Sequence, residues 1–129
     1  MKAIKNVSIY SGGENPVFIK NGTLIWDNDE IIKIVENDFD EKKFDGEIID
    51  GKGKLLIPGL IIAHDHLYSA LSRGIEMKNG NPRNFYQILT KLWWKLDLSL
   101  DKESIYYSAL TGIIDAIKSG VTTIIDHHA

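Results

Sequence analysis

Ile57-Pro58-Gly59-Leu60-Ile61-Ile62-Ala63-His64-Asp65-His66-Leu67 is the stretch on which the reading of this chain turns. Pro58 has no N–H to give to a strand ladder, so it marks the entry to a strand rather than its interior. The apolar run after Gly59 has the pattern of a strand buried on both faces, the habit of parallel sheets. In a strand, residues i and i+2 project to the same side, about 6.5–7 Å apart. His64 and His66 therefore present their imidazoles to one face, and Asp65 points away, its carboxylate expected to be paired behind the strand. Neutral imidazoles so placed can each reach a Zn²⁺-type ion at about 2.0–2.1 Å. Such an ion brings a bound water to a pKa of about 7 and polarises a carbonyl or amidine, which is hydrolytic chemistry. His-x-His by itself also fits two hydrogen-bonded histidines at a strand end. The run in front favours the metal reading, because it carries both side chains to the end of a buried strand, where solvated groups are unusual.

Downstream, Phe85, Ile88, Leu89, Leu92 and Leu96 recur at helical spacing. Ser99 is the expected N-cap of a second helix, with Asp101 and Glu103 in its first turn, where carboxylates complement the helix dipole. That helix presents Ile105, Ala109, Ile113 and Ile117 as an apolar stripe, widened by Leu110 and Ile114, and Gly120 stands where a terminating glycine belongs. Val121-Thr122-Thr123-Ile124-Ile125 is then a further strand, ending at Asp126-His127-His128. Strand, helices and strand make a βαβ unit, whose strands should pair in parallel through a right-handed crossover. The chain's 4 histidines thus fall at the C-terminal ends of two strands, the edge at which α/β sheets bind ligands.

Upstream the grammar differs. Ile4, Val7 and Ile9, then Val17-Phe18-Ile19, Thr23-Leu24-Ile25-Trp26 and Ile31-Ile32-Lys33-Ile34-Val35 are short β-type runs, separated by Ser11-Gly12-Gly13, Asn21-Gly22 and Asp27-Asn28-Asp29-Glu30. Asn-Gly tolerates φ > 0, so a turn is expected there. An all-β portion over 1–54 and a βαβ segment over 55–129 follow. The acidic block between Asp27 and Asp50 is expected to be the solvated edge of the small sheet.

Composition narrows the function classes. The chain has 129 residues, 43% apolar and 26% charged, as in an ordinary globular protein. A net charge of -3 and only two arginines (Arg73 and Arg83) argue against a nucleic-acid binder. The absence of cysteine excludes disulfides, thiolate zinc sites and thiol catalysis. No apolar run approaches the ~20 residues of a membrane span. Met1-Lys2-Ala3-Ile4-Lys5-Asn6 is unlike a signal peptide, so a soluble cytoplasmic protein is expected.

The segment 57–67 resembles the start of the barrel in the metal-dependent amidohydrolase superfamily. Gly46-Glu47-Ile48-Ile49-Asp50-Gly51-Lys52-Gly53-Lys54-Leu55 is similar to that family's lead-in from its small β-sandwich. Ile19-Lys20-Asn21-Gly22-Thr23 and Asp29-Glu30-Ile31-Ile32-Lys33-Ile34 are similar to its N-terminal strands. Tyr68-Ser69, Ser72-Arg73-Gly74-Ile75 and Ser119-Gly120-Val121-Thr122-Thr123-Ile124-Ile125-Asp126 resemble the cytosine-deaminase and chlorohydrolase-like branch. The ending Asp126-His127-His128-Ala129 resembles aminohydrolases of the SsnA type.

The resemblance implies an α/β architecture: β-sandwich strands followed by the first βαβ unit of a (β/α)₈ barrel. It implies one divalent metal ion, Zn²⁺ or Fe²⁺, with His64 and His66 as ligands, and a small substrate such as a nitrogen heterocycle. His127 and His128 would lie at the pocket mouth, on the substrate side, and Arg73 is a candidate for an anionic substrate group. Ligation by one of the two histidines, as the third member of a histidine site, is the less favoured reading. Trp93 and Trp94 with Phe85 and Tyr86 fit either a pocket wall or, better at helical spacing, the core. Asp115 and Asp126 lack a partner carboxylate that the sequence can place. A whole barrel needs about 250 residues, and the remaining ligands and acid/base residues belong to later strands. An inactive N-terminal portion is therefore expected. Exposed edges on barrel-type strands also make homo-oligomerisation or strand exchange an expectation, in an enzyme portion or in a non-catalytic associating piece alike. Ile124-Ile125-Asp126-His127-His128 is similar to the DHH phosphoesterase signature too, but His64-Asp65-His66 departs from the His-x-Asp-x-Asp pattern that family wants.

Overall fold

The computed structural model describes residues 1–77 and 80–128; Ala129, quoted with the ending above, lies outside the described residues. The chain divides into two compact units, Met1–Pro58 and Gly59–Ala129.

In the first unit, β1 (Lys2–Tyr10), β2 (Phe18–Asp27) and β3 (Glu30–Glu36) form an antiparallel meander. On the other side of β1, β4 (Glu47–Asp50) and β5 (Leu55–Leu56) run parallel to it, so the strand order is β3-β2-β1-β4 with β5 further along β1. Ala3, Val7, Ile9, Gly22 and Thr23 are buried in this sheet. The turn expected at Asn21-Gly22 does not form, because β2 runs straight through it. Gly22 pairs with Val7 on one side and Glu36 on the other, and a Cβ there would lie 2.8 Å from Ile9 Cδ1. The glycine permits close approach within a sheet, the other reason for a strand glycine. The reversal comes instead at Asn28-Asp29, with Asn28 in the left-handed region at φ 50°.

Leu55–Leu56 pairs with Ser8 and Ile9, which attaches these leucines to the first sheet. The division between units therefore falls after Pro58 rather than after Lys54. Between β4 and β5 the chain steps out at Gly51, where a Cβ would collide with Val7 Cγ1 and the Lys5 carbonyl. The acidic segment is exposed, and several of its carboxylates pair with lysines, among them Glu41 with Lys5 and Glu47 with Lys2.

In the second unit β6 (Leu60–Asp65) and β7 (Val121–Asp126) pair in parallel, with Leu60 opposite Val121 and Asp65 opposite Asp126. The crossover contains a 3₁₀ segment (Leu67–Ser72) and α1 (Phe85–Ile88). A π-helical stretch (Leu89–Trp93) then joins α1 to α2 (Trp94–Ser99), and α3 (Lys102–Lys118) follows. Gly120 closes α3 at φ 80°, its N–H donating to the Ile117 carbonyl.

Three expectations are corrected here. The N-cap of α3 is Asp101, which forms a capping box with Ser104, whereas Ser99 ends α2 with its hydroxyl on the Leu96 carbonyl. The most deeply buried face of α3 carries small residues, Ser108 and Ala116 at helical spacing around Gly112, while Ile113, Ile114 and Ile117 remain exposed. The reason is proximity: the helix lies on the 3₁₀ segment, and a Cβ on Gly112 would come 2.8 Å from Leu67 Cδ2. Finally, Leu60, Ile61 and Ile125 are 49%, 66% and 52% exposed, so β6 and β7 are not buried on both faces in this two-stranded sheet.

Candidate functional site

Because Asp65 and Asp126 are in register, the residues that follow β6 and β7 meet at one edge. The His64 and His66 rings converge there: their Nε2 atoms are 3.1 Å apart, with ring centroids 4.9 Å apart and planes at 82°. His66 Nδ1 lies 2.8 Å from the His127 carbonyl oxygen. A carbonyl only accepts, so Nδ1 carries the proton and donates it, leaving Nε2 with its lone pair free toward His64. This is the arrangement in which a ligating histidine is held by a hydrogen bond through its other nitrogen.

The strand ends are fastened by one backbone bond and two carboxylate bonds to backbone N–H groups. His127 N–H donates to the Asp65 carbonyl at 2.8 Å, Asp65 Oδ1 accepts from His66 N–H at 2.8 Å, and Asp126 Oδ1 accepts from Leu67 N–H at 2.9 Å. Asp65 thus caps the next residue's backbone instead of pairing behind the strand. The His127 ring stacks on His64, centroids 4.1 Å apart and planes at 29°. His128 lies 3.7 Å from Asp126 Oδ2 and edge-on to Tyr68.

The 3.1 Å separation of the two Nε2 atoms is close to the ~3.3 Å between neighbouring ligands of a tetrahedral ion at about 2.0–2.1 Å. The donor set is therefore compatible with one divalent ion shared by His64 and His66. Among the described residues no group of three or more His, Asp or Glu side chains converges to hold a metal.

The pair opens onto a cleft of about 540 Å³ whose lining includes Leu92, Trp93, Leu96, Arg73 and Asp115. Trp93 is partly buried, its ring centroid 5.7 Å from that of His66. Its aromatic neighbours in sequence do not form a core: Trp94, Phe85 and Tyr86 are 49%, 71% and 66% exposed. The π-helical stretch ends at Trp93, where it adds a residue to the turn between two helical segments. Arg73, expected on the substrate side, reaches Asp115 at 3.2 Å and donates through Nε to the Ala70 carbonyl at 2.9 Å. Asp115 thereby gains the partner that the sequence could not supply.

Two residues without an assigned role in the sequence adjoin the site. Tyr68 is buried, and burial, followed by the nearby Asp97 carboxylate, pushes its phenol above the ordinary value. Asp97 Oδ1 is buried with no hydrogen-bond partner. In the sequence only Asp97 carries a hint, as a carboxylate interrupting an apolar helical run; that Tyr68 and Asp97 Oδ1 are buried is not signalled locally.

The site is thus a converging His-x-His pair at the C-terminal strand edge of a parallel βαβ unit, the edge at which α/β folds bind ligands. Residues 55–129 match the amidohydrolase family, and the chain belongs to that family. Among curated relatives, it is 35% identical over 127 residues to a 5-methylthioadenosine/S-adenosylhomocysteine deaminase of Halothermothrix orenii, covering 95% of this chain and 28% of the relative. It is 38% identical over 114 residues to a 5'-deoxyadenosine deaminase of Methanobrevibacter smithii, covering 87% and 25% respectively. The chain thus spans about a quarter of the length of the curated relatives it matches.

Among solved structures, an atrazine chlorohydrolase from Arthrobacter aurescens complexed with zinc superposes with a TM-score of 0.75 at 22% identity, over 99% of this chain and 29% of that one. A guanine deaminase from C. acetobutylicum with bound guanine gives a TM-score of 0.79 at 18% identity, over 99% and 30%. These neighbours are barrel enzymes, and the fold here is α/β: N-terminal sandwich strands followed by the first βαβ unit of a (β/α)₈ barrel.

Proposed function

We propose that this chain carries the first metal-binding residues of a metal-dependent amidohydrolase that hydrolyses a C–N bond in a small nitrogen heterocycle. The deaminase type is favoured over the chlorohydrolase type. The relatives that share 35% and 38% of its residues are named as deaminases of adenosine derivatives, which makes an amino-purine nucleoside the preferred substrate class. The observation that carries the reading is the 3.1 Å approach of His64 Nε2 to His66 Nε2, with the His66 tautomer set by the His127 carbonyl.

His64 and His66 would hold one divalent ion, Zn²⁺ or Fe²⁺. When bound, that ion supplies Lewis acidity and lowers the pKa of a coordinated water to about 7. The remaining tasks fall to the chain itself. Leu92 and Leu96 give the cleft an apolar wall, and Trp93 offers a flat face beside the pair. Arg73 lines the same cleft, and with Nε on the Ala70 carbonyl and Nη2 on Asp115 it would meet an anionic group through Nη1. His128, near Asp126 and Tyr68, is not among the residues lining the cleft, and it would meet substrate only at the mouth beyond them.

The test is a zinc titration of the 129-residue chain and of a His64→Ala/His66→Ala variant, followed by calorimetry. Weak binding that disappears in the variant is expected, because catalytic zinc ordinarily takes about three protein ligands plus water. Equal binding by both proteins would overturn the assignment. The chain alone is expected to leave 5'-deoxyadenosine intact, followed as the absorbance change on loss of the amino group. Turnover by it would refute the need for ligands from further strands.

A further inference from the structure

We propose that His127 is a positioning residue for the His64/His66 pair, setting one imidazole through its backbone and the other through its ring. The inference rests on the metal-pair reading and deepens it.

The contacts are distinct. The His127 carbonyl accepts a hydrogen bond from His66 Nδ1–H at 2.8 Å, which fixes the tautomer and directs the Nε2 lone pair inward. The His127 imidazole lies against His64 at a centroid distance of 4.1 Å and 29° between planes, an offset-stacked arrangement of flat rings. His64 needs such a support, since Ala63, His64 and His127 are all exposed and, among the described residues, the hydrogen bond that engages the His64 ring is the one to His66 itself. The residue supplying both contacts is placed by the sheet: β6 and β7 are parallel, and His127 N–H donates to the Asp65 carbonyl at 2.8 Å. The geometry also separates this role from ligation. A ring stacked face to face on a ligand directs its nitrogen lone pairs within its own plane, alongside those of His64 and not across them.

Positioning by a stacked ring requires a flat ring but no nitrogen, and this makes the proposal testable. In the His127→Phe variant the stack is retained and the nitrogens are removed; His127→Ala removes both, and every variant keeps the carbonyl. Co²⁺ is titrated into each chain and followed by its visible absorption, with far-ultraviolet circular dichroism as the control for folding. His127→Ala is expected to weaken Co²⁺ binding by about tenfold, the scale on which outer-sphere partners act. His127→Phe is expected to stay within about threefold of the parent, well inside that scale. Equal weakening in both variants would make the nitrogen essential and overturn the proposal in favour of ligation. Parent-like binding in both would overturn it altogether.

A second readout needs no metal. In proton–nitrogen spectra of the metal-free chain, the His64 ring protons should lose their ring-current shift in His127→Ala and regain one in His127→Phe, with His66 in the Nδ1–H form throughout. Unmoved His64 signals would overturn the positioning role. If the His64→Ala/His66→Ala variant binds Co²⁺ as well as the parent while these shifts behave as expected, the metal-pair reading fails and the ring contact stands.

Discussion

Ser108 is 1% exposed, and its hydroxyl serves two backbone groups of the 3₁₀ segment, accepting from Leu71 N–H at 3.1 Å and donating to the Leu67 carbonyl at 2.9 Å. Removing it takes away both of these bonds at a buried contact. Ser108→Ala is therefore expected to cost about 1–3 kcal/mol, read as a lower urea midpoint with an unchanged slope. An unaltered midpoint would show that neither bond contributes. At this scale the imidazole pair was legible from sequence, since the two-residue period of a strand fixes which side chains share a face. The burial of Tyr68 and Asp97 was not, because it depends on which helix returns over the 3₁₀ segment, a long-range contact without a local signature. For the same reason Arg73 could be read as free for substrate until Asp115, 42 positions away, was seen beside it.

Among the elements, α3 shows how local and tertiary signals compete. Ser99 and Asp101 are both good caps two positions apart, and the choice falls to Asp101 because Ser104 completes the reciprocal pair. The Ser104 hydroxyl and backbone N–H hold the Asp101 carboxyl below its ordinary value. A carboxyl lowered in the folded state adds stability that is fully present above its unfolded pKa of about 3.9 and is lost as pH falls through the folded value. Helicity of the parent should thus decline in acid more steeply than that of Asp101→Asn, which caps without titrating; superimposable acid titrations by circular dichroism would contradict this. The apolar stripe of α3 was legible, but its partner was not. Periodicity marks Ile113 and Ile117 as a face to be covered, while the close approach at Gly112 selects the face with Ser108 and Ala116 for the contact inside this chain. The meander, the parallel β6–β7 pair and the Gly120 stop followed from local grammar, whereas Asn21-Gly22 misled because a glycine that permits a turn also permits two strands to approach.

For the whole molecule, the feature with most consequence is apolar surface left in the open. Ile61 at 66%, Ile117 at 66% and Leu98 at 90% exposure belong to the second unit, whose sheet has two strands and hence two open edges. Such edges and faces promote association. The chain is expected to elute as a concentration-dependent dimer or larger species when light scattering is coupled to size exclusion, and a monomer at every loading would contradict this. Among the described residues no helix is long and apolar enough to cross a membrane. The bond from His66 to the His127 carbonyl bears on how such a protein tolerates change. Every amino acid brings a carbonyl, so which nitrogen of His66 donates is insulated from drift at position 127, whereas the orientation of His64 passes to descendants that keep something flat there.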